Sequence, residues 1–338
     1  MTAAQAACFY RIELPMRQLE KHGHDITFKS AGDGPGAVPV TLSDMTGFDV
    51  IIGQRFNAHR GLGTWRRARV PSSRLVYETD DDVFSVTAEN WQAYHVYSRL
   101  DIQDAVMHMA GTADLVTVTT EHLADVMREN TGCPNVAVLP NCLPAWLLDT
   151  PRKLRQRPAV GWGGGASHGV DVGLVVAPVH RFLKRFPDWD LRLCGTDFRP
   201  TFQVGQRAVF TNWIPVYEDP HGYYDSLDFD IGLAPLNGKE FDLSKSNIKV
   251  LEYAARGIVP VATDCAVYRS FIRHGENGFL VKAEHEWLRY MSILARDSEL
   301  RAKMAATARA DAAAWTIETH WTRWEQAYTS LFPSRGVS

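Results

Sequence analysis

The stretch "LSKSNIKVLEYAARGIVPVAT", residues 243–263, decides how this chain is read. It joins a helical pattern that stops at Gly257 to an apolar run, "IVPVAT" (258–263), with the composition of a buried strand. A helix that feeds directly into a buried strand is half of a β-α-β unit, and such units build parallel sheets. The same kind of run stands at "PAVGW" (158–162), "DLRLCG" (190–195), "AVFTNW" (208–213), "FDIGLAP" (229–235) and "GFLV" (278–281). An earlier series stands at "FDVIIG" (48–53), "RLVYE" (74–78), "DLVTVTT" (114–120) and "NVAVLPN" (135–141). Between the two series, "PAWLLDTPRKLRQRP" (144–158) replaces periodicity with prolines and basic residues, the mark of a linker.

The pattern predicts two doubly wound α/β domains, 1–150 and 151–315, and a C-terminal helix, 316–338, packing back toward the first domain. Trp315, Trp321, Trp324 and Tyr328 recur at helical spacing in that tail and read as packing surface. The length of 338 residues is comfortable for two cores. A net charge of -3 argues against a general polyanion binder and leaves a local basic patch open. The five cysteines are scattered, with no C-x-x-C pair, so neither a disulfide framework nor a zinc knuckle is indicated. No run has the form of a signal peptide or the length of a membrane span, and a cytoplasmic protein, monomeric or weakly dimeric, is expected.

Ligands of open parallel sheets bind beyond the C-terminal ends of the strands. "VGWGGGASHGVD" (160–171) places Gly163, Gly164 and Gly165 between a strand and a helix, where backbone and helix N-terminus can meet an anion. A plain tight turn explains a glycine run equally well. In the opening stretch, Lys245 and Lys249 lie four apart and would share one helix face at the N-terminal end, where the dipole disfavours cations. A bound diphosphate would resolve that conflict, with Glu252 one turn on to accept from ribose hydroxyls. The alternative is a solvated helix carrying a Lys249–Glu252 pair.

"KSNIKVLEYAARGIVPVATD" (245–264), with "FDIGLAPL" (229–236) before it and "VYRSFIRHGENGFLV" (267–281) after it, resembles the retaining glycosyltransferases of family four. The likeness covers most of residues 158–332. It implies a GT-B fold, two Rossmann-like domains facing a central cleft, and transfer of a sugar from a UDP- or GDP-linked donor to an acceptor hydroxyl. By the same resemblance Glu252 holds the donor ribose, Ser246, Asn247 and Ile248 line the donor site, and Trp213 and Ile214 lie near the nucleobase. Trp213 reads equally well as core. The first glutamate of the family's pair falls at Ser244, and Trp162 and His168 stand where an arginine and a lysine are usual. These departures shift the expected phosphate charge to Lys245, Lys249 and His168, aided by the Gly163–Gly165 amides.

The opening "CFYRIELPMRQLEKHGHDI" (8–26) reads as a short strand, a helix and the entry to another strand. Its likeness to the family's start puts Tyr10 and Arg11 on the acceptor side, where the family's glycines face the cleft, as contacts to an acceptor or a donor phosphate; a surface helix start is the alternative. The segment Arg55–Arg74 is rich in arginine, which reads first as a solvated helix face and second as a patch for an acidic acceptor, DNA included. "YETDDDVFSV" (77–86) carries an Asp-x-Asp of the metal-clamp type. Its place after a strand of the first domain argues instead for Asp80 and Asp81 as acceptor-hydroxyl contacts. Asp82 reads as the third residue of a helix capped by Thr79. The resemblance requires neither metal nor other cofactor. A nucleotide-sugar epimerase or hydrolase and a non-catalytic nucleotide-sugar binder are the rival readings. A dinucleotide oxidoreductase fits poorly, because no G-x-G-x-x-G follows a first strand. "YRIELPM" and "YETDDDVFSV" also resemble sequences encoded by actinobacterial phages, which would place the protein in a host cytoplasm. A modified DNA base, a protein or a glycan is then the acceptor to test.

Overall fold

The computed structural model describes residues 6–29, 40–55, 61–152 and 155–333. It forms two compact units. Unit 1 takes in Met1–Asn141, Ser244–Ser246 and Ile317–Ser338, and unit 2 takes in Cys142–Leu243 and Asn247–Thr316.

In unit 1, β1 (Val50–Gln54), β2 (Arg74–Glu78), β3 (Leu115–Val118) and β4 (Val136–Val138) form a parallel sheet in the order β1-β2-β3-β4. Its apolar runs are buried against helices that supply Trp65, Val106, Met109, Leu123 and Met127 to one core. The helix Glu121–Thr131 begins where the Thr120 side chain accepts from the Leu123 N–H and ends at Gly132, whose φ of 69° suits glycine.

In unit 2, β5 (Ala159–Gly164), β6 (Asp190–Gly195), β7 (Ala208–Asn212), β8 (Ile231–Ala234), β9 (Val259–Thr263) and β10 (Phe279–Val281) form a second parallel sheet. The order is β10-β9-β8-β5-β6-β7. Counted within the unit this is 3-2-1-4-5-6, so the chain winds one way from β5, then crosses to the other side at β8. The crevice where a doubly wound sheet binds ligands lies at that reversal. The core gathers Val160, Trp162, Val175, Phe182, Leu193, Ile231, Val259 and Met291.

Every strand of these two sheets falls on an apolar run of the sequence. Three expectations fail. Residues 8–13 are helical: Ala6–Cys8, a π-helical turn Phe9–Glu13 and the helix Leu14–Lys21 follow one another, and no strand lies at 24–29. Phe9, Tyr10, Arg11 and Ile12 are all buried, and four consecutive buried residues carry no period to separate strand from helix. No helix starts at Thr79; the next one after β2 is Trp91–Tyr97. The tail is broken at Trp321 into Ile317–His320 and Thr322–Thr329, with Trp324 and Tyr328 buried. Residues 334–338 of the expected C-terminal helix lie outside the described residues. Among the described residues no helix is long and apolar enough to cross a membrane.

Candidate active site

The helix of the opening stretch runs Ile248–Ala255. It cannot start earlier at low cost, because Ser244, Ser246 and Asn247 offer side chains that compete for backbone hydrogen bonds. Asn247 donates from Nδ2 to the Ser270 hydroxyl at 3.0 Å. Lys245 therefore precedes the helix and does not share a face with Lys249, which corrects the expected pair. Lys245 belongs to unit 1, with Nζ 2.7 Å from Asp81 Oδ1.

Lys249, in the first helical turn, reaches the C-terminal end of β5. Its ammonium donates to the Gly163 carbonyl and stands 4.9 Å from the centroid of the Trp162 ring, a cation–π distance. A Cβ on Gly164 would lie 2.8 Å from Cζ2 of the buried Trp162 ring and 2.9 Å from that Nζ, so it would crowd the indole on which the lysine rests. Trp162 is fully buried, and its Nε1–H has no hydrogen-bond partner among the described residues. Its ring packs edge-on against Phe198 at 5.2 Å and His168 at 6.2 Å.

His168 stands just ahead of the helix Gly169–Arg185. Its Nδ1 is 2.9 Å from Asp171 Oδ2, a geometry that puts the proton on Nδ1 and turns Nε2 away from the carboxylate. Asp171 is buried, and its other oxygen accepts from the Asn237 N–H at 3.0 Å and Nδ2 at 2.9 Å. Asn237 follows β8, so Asp171 ties the segment after β5 to the segment after β8.

Glu252 is buried, and its Oε1 accepts from the Tyr223 hydroxyl at 3.0 Å. Burial and the neighbouring Glu252 carboxylate push the Tyr223 phenol well above its ordinary pKa, so it stays a donor. The Tyr223 ring packs edge-on against half-buried Trp213, 5.9 Å away, and Ile214 follows on the same exit from β7. Gly195, at the end of β6, has φ +96°, and a Cβ there would come within 3.0 Å of the Trp213 ring. The exits of β5, β6, β7 and β8 thus bring together Gly164, His168, Gly195, Trp213 and Asn237, with Lys249 and Glu252 supplied by one helix.

Not all of the glycine run faces outward. The Gly163 N–H donates to the Tyr253 hydroxyl at 3.1 Å, and its carbonyl is taken by Lys249. Gly163 is therefore held by the protein itself, Gly164 is engaged with β6 through the β5–β6 ladder, and the amide of the run left to consider is that of Gly165.

In unit 1 the three aspartates divide differently from expectation. Asp80 Oδ1 accepts from Arg55 Nε at 2.6 Å, and Asp81 Oδ2 from Arg55 Nη2 at 2.7 Å, while Asp81 Oδ1 accepts from Lys245. Burial opposes charge on Arg55, yet Asp80 and Asp81 carry its pKa well above the usual value. Arg55 also has a left-handed φ of 45°, a cost for a residue with a Cβ. Asp82 caps an irregular turn rather than a helix: it accepts from the Phe84 N–H at 2.9 Å, the Ser85 N–H at 3.2 Å and the Ser85 hydroxyl. Thr79 donates to the Asp81 carbonyl at 3.1 Å.

Tyr10 and Arg11 are not presented to an acceptor. Tyr10 is buried, and Arg11 is 1% exposed, with Nε and Nη2 on Glu78 at 3.1 and 3.0 Å and Nη1 on the Leu139 carbonyl and on Asn141 Oδ1. Asn141 in turn donates to Ser246 Oγ at 2.9 Å, which places Ser246 in the polar network of unit 1. Residues 56–60 of the arginine-rich segment lie outside the described residues. Beyond them Arg66, Arg67 and Arg69 are exposed, on or just after the helix Leu62–Ala68. Among the described residues no group of three or more His, Cys, Asp or Glu is arranged to hold a metal ion.

Sequence reasoning missed Asp171, Asn237, Tyr223 and Tyr253. Asp171 had a signal, three residues after His168 at a helix start, where side chains i and i+3 meet. Tyr253 and Tyr223 read as core aromatics, and nothing local marks Asn237.

Residues 159–297 match the family model described as glycosyl transferases group 1. No curated protein sequence matches the chain. Among solved structures, a Staphylococcus aureus TarM variant in complex with fondaparinux, α-GlcNAc-glycerol and UDP superposes with a TM-score of 0.61 at 12% identity over 82% of this chain. The chain spans 55% of the length of that TarM chain. Anabaena HepE in complex with UDP and glucose gives a TM-score of 0.64 at 15% identity, covering 86% of this chain and 80% of that one. Sucrose-phosphate synthase from Thermosynechococcus elongatus gives 0.61 at 16% identity, covering 85% and 74%. The chain accordingly has the GT-B fold, and its residues 159–297 are similar to the glycosyl transferases group 1 family.

Proposed function

We propose that the protein moves a sugar from a nucleotide-diphosphate donor to an acceptor hydroxyl, with retention at the anomeric carbon and without a metal ion. The observation that carries this reading is the convergence of Lys249, the Trp162–His168–Asp171 group and Glu252 at the switch point of the unit 2 sheet. It lies within the segment that matches a glycosyltransferase family. UDP bound to TarM and to HepE supports a UDP-linked donor. The chief barrier is departure of the diphosphate from an oxocarbenium-like sugar, so catalysis rests on donors fixed where negative charge develops. Lys249, His168 and the Gly165 amide take that role, and Glu252 holds the ribose. The acceptor attacks from the face the phosphate leaves, and the phosphate oxygen receives its proton. No glycosidase-like pair of carboxylates is then needed. Asp80 and Asp81 address the acceptor hydroxyl from a charge-compensated cluster.

The experiment is a panel of UDP- and GDP-sugars scored for binding and turnover, with and without chelator, on wild type and on Lys249→Ala and Glu252→Ala. The expected result is transfer by wild type that survives chelation and is abolished in both variants, while their melting temperatures stay within a few degrees of wild type. Full turnover in either variant sinks the residue assignment. Donor consumed at full rate with no acceptor makes the protein a hydrolase or epimerase, and binding with no turnover on any acceptor makes it a non-catalytic binder. Activity lost to chelator and restored by manganese overturns metal independence.

A further inference from the structure

The strands β5 and β8 pair only briefly, at Val160↔Ile231 and Gly161↔Gly232. One residue on, the register would bring Trp162 opposite Leu233, and the next rung of the ladder would run from the Gly163 N–H to the Leu233 carbonyl. That bond is absent. The Tyr253 hydroxyl stands between the two atoms instead, accepting from Gly163 N at 3.1 Å and donating to Leu233 O at 3.2 Å. Its ring is fully buried and fits only because residue 232 is glycine: a Cβ there would come within 2.7 Å of Tyr253 Cε2. The ring is further fixed edge-on against Phe229 at 5.2 Å.

Tyr253 lies four residues after Lys249 on the helix Ile248–Ala255, so both side chains project from one helix face. Between them they hold both backbone polar groups of Gly163, and so the peptides on either side of it, the N–H by the tyrosine and the carbonyl by the lysine. The peptide that leads into Gly164 and Gly165 is thereby set from the same helix that carries Glu252. We propose that Tyr253 is a positioning residue for diphosphate binding. Its hydroxyl wedges the β5–β8 crevice open and fixes Gly163, on whose placement Lys249 and the Gly165 amide depend. The inference rests on the proposed donor site and extends it to a residue that touches no ligand. Burial drives the Tyr253 phenol well above its usual pKa, so the hydroxyl remains neutral and can donate and accept at once across the ordinary pH range.

Tyr253→Phe removes one oxygen and leaves the ring in place. Two measurements decide the matter. By calorimetry the variant should bind UDP about tenfold more weakly, the effect of one buried donor left unpaired, and uridine about as tightly as wild type. By hydrogen exchange on the protein alone, the Gly163–Gly165 amides should exchange about tenfold faster, while β6 and the helix Gly169–Arg185 keep their protection. Equal losses of UDP and uridine affinity, or unchanged exchange at Gly163–Gly165, would overturn the proposal. Failure of wild type to bind any nucleoside diphosphate would sink the functional reading instead, and the exchange experiment still decides whether Tyr253 sets the peptide. Should Tyr253→Phe fold poorly, Gly232→Ala, which displaces the ring rather than the hydroxyl, must give the same selective exchange at Gly163–Gly165.

Discussion

Units 1 and 2 both gather polar side chains at the C-terminal ends of parallel strands, and they hold their charges in opposite ways. In unit 1 acids and cations face each other: Arg11 meets Glu78, and Arg55 and Lys245 meet Asp80 and Asp81. In unit 2 Lys249 leans on a carbonyl and an indole face, and Glu252 on a tyrosine hydroxyl. A matched ion set satisfies itself at the expense of desolvation, whereas a carbonyl, an indole face and a phenol hydroxyl bring no counter-charge of their own. The difference teaches that density of charge is a poor guide to where a ligand goes. The more charged cluster is the more self-sufficient one.

The largest effect should come from breaking the most enclosed pair. Glu78→Gln leaves the Arg11 guanidinium buried without a counter-charge and should lower stability by about 3–5 kcal/mol in urea titration. Glu252→Gln exchanges one acceptor for another beside Tyr223 and should leave the midpoint nearly unmoved. If the two glutamates cost the same, the contrast between the units collapses. Next comes the seam of unit 2. Gly232→Ala drives a methyl group into the buried Tyr253 ring and should cost about 1–3 kcal/mol by the same titration, mostly through overpacking. A neutral result would mean that the ring yields, and with it the wedge between β5 and β8. The smallest effect is a null result. Cys194 sits at the end of β6, where burial pushes its thiol up to about 12. At pH 8 it is protonated as well as enclosed, and alkylation with iodoacetamide should be slow until denaturant is added. Labelling should rise only as the pH approaches that value, because the thiolate is the reactive form. Rapid native labelling at pH 8 would show the β6 exit to be far more open than the structure has it.

The sheets were legible because buried parallel strands leave continuous apolar runs, and each of β1 to β10 lies on such a run. What escaped were features that depend on partners remote in the chain. The run Phe9–Ile12 is apolar without period, so its helical turn could not be told from a strand. Lys245 and Lys249 have helical spacing, but Ser246 and Asn247 between them delay the helix past the first lysine. Asp82 has the spacing of a capping box after Thr79, yet a local turn closed by Ser85 meets its demand first. At the candidate site, Lys249, Glu252 and His168 were visible as charges in unusual places. Tyr253 was not, since a tyrosine in a buried stripe looks like packing until both ends of its hydroxyl are seen.

Unit 1 is assembled from stretches far apart in the sequence, and this bears on how the polypeptide matures during its synthesis. His22 stacks on Trp321 at 3.6 Å, His24 meets Glu325 at 3.0 Å, and Arg74 donates to the Leu331 carbonyl at 3.0 Å. Those partners leave the ribosome after every residue of unit 2. The usual order, in which the first domain folds first, is therefore reversed in its completion. The early sheet must wait with Arg11 and Glu78 in place and its flank uncovered until Trp321, Glu325 and Leu331 have emerged. A polypeptide truncated after Thr316 should present a closed unit 2 beside a protease-sensitive unit 1.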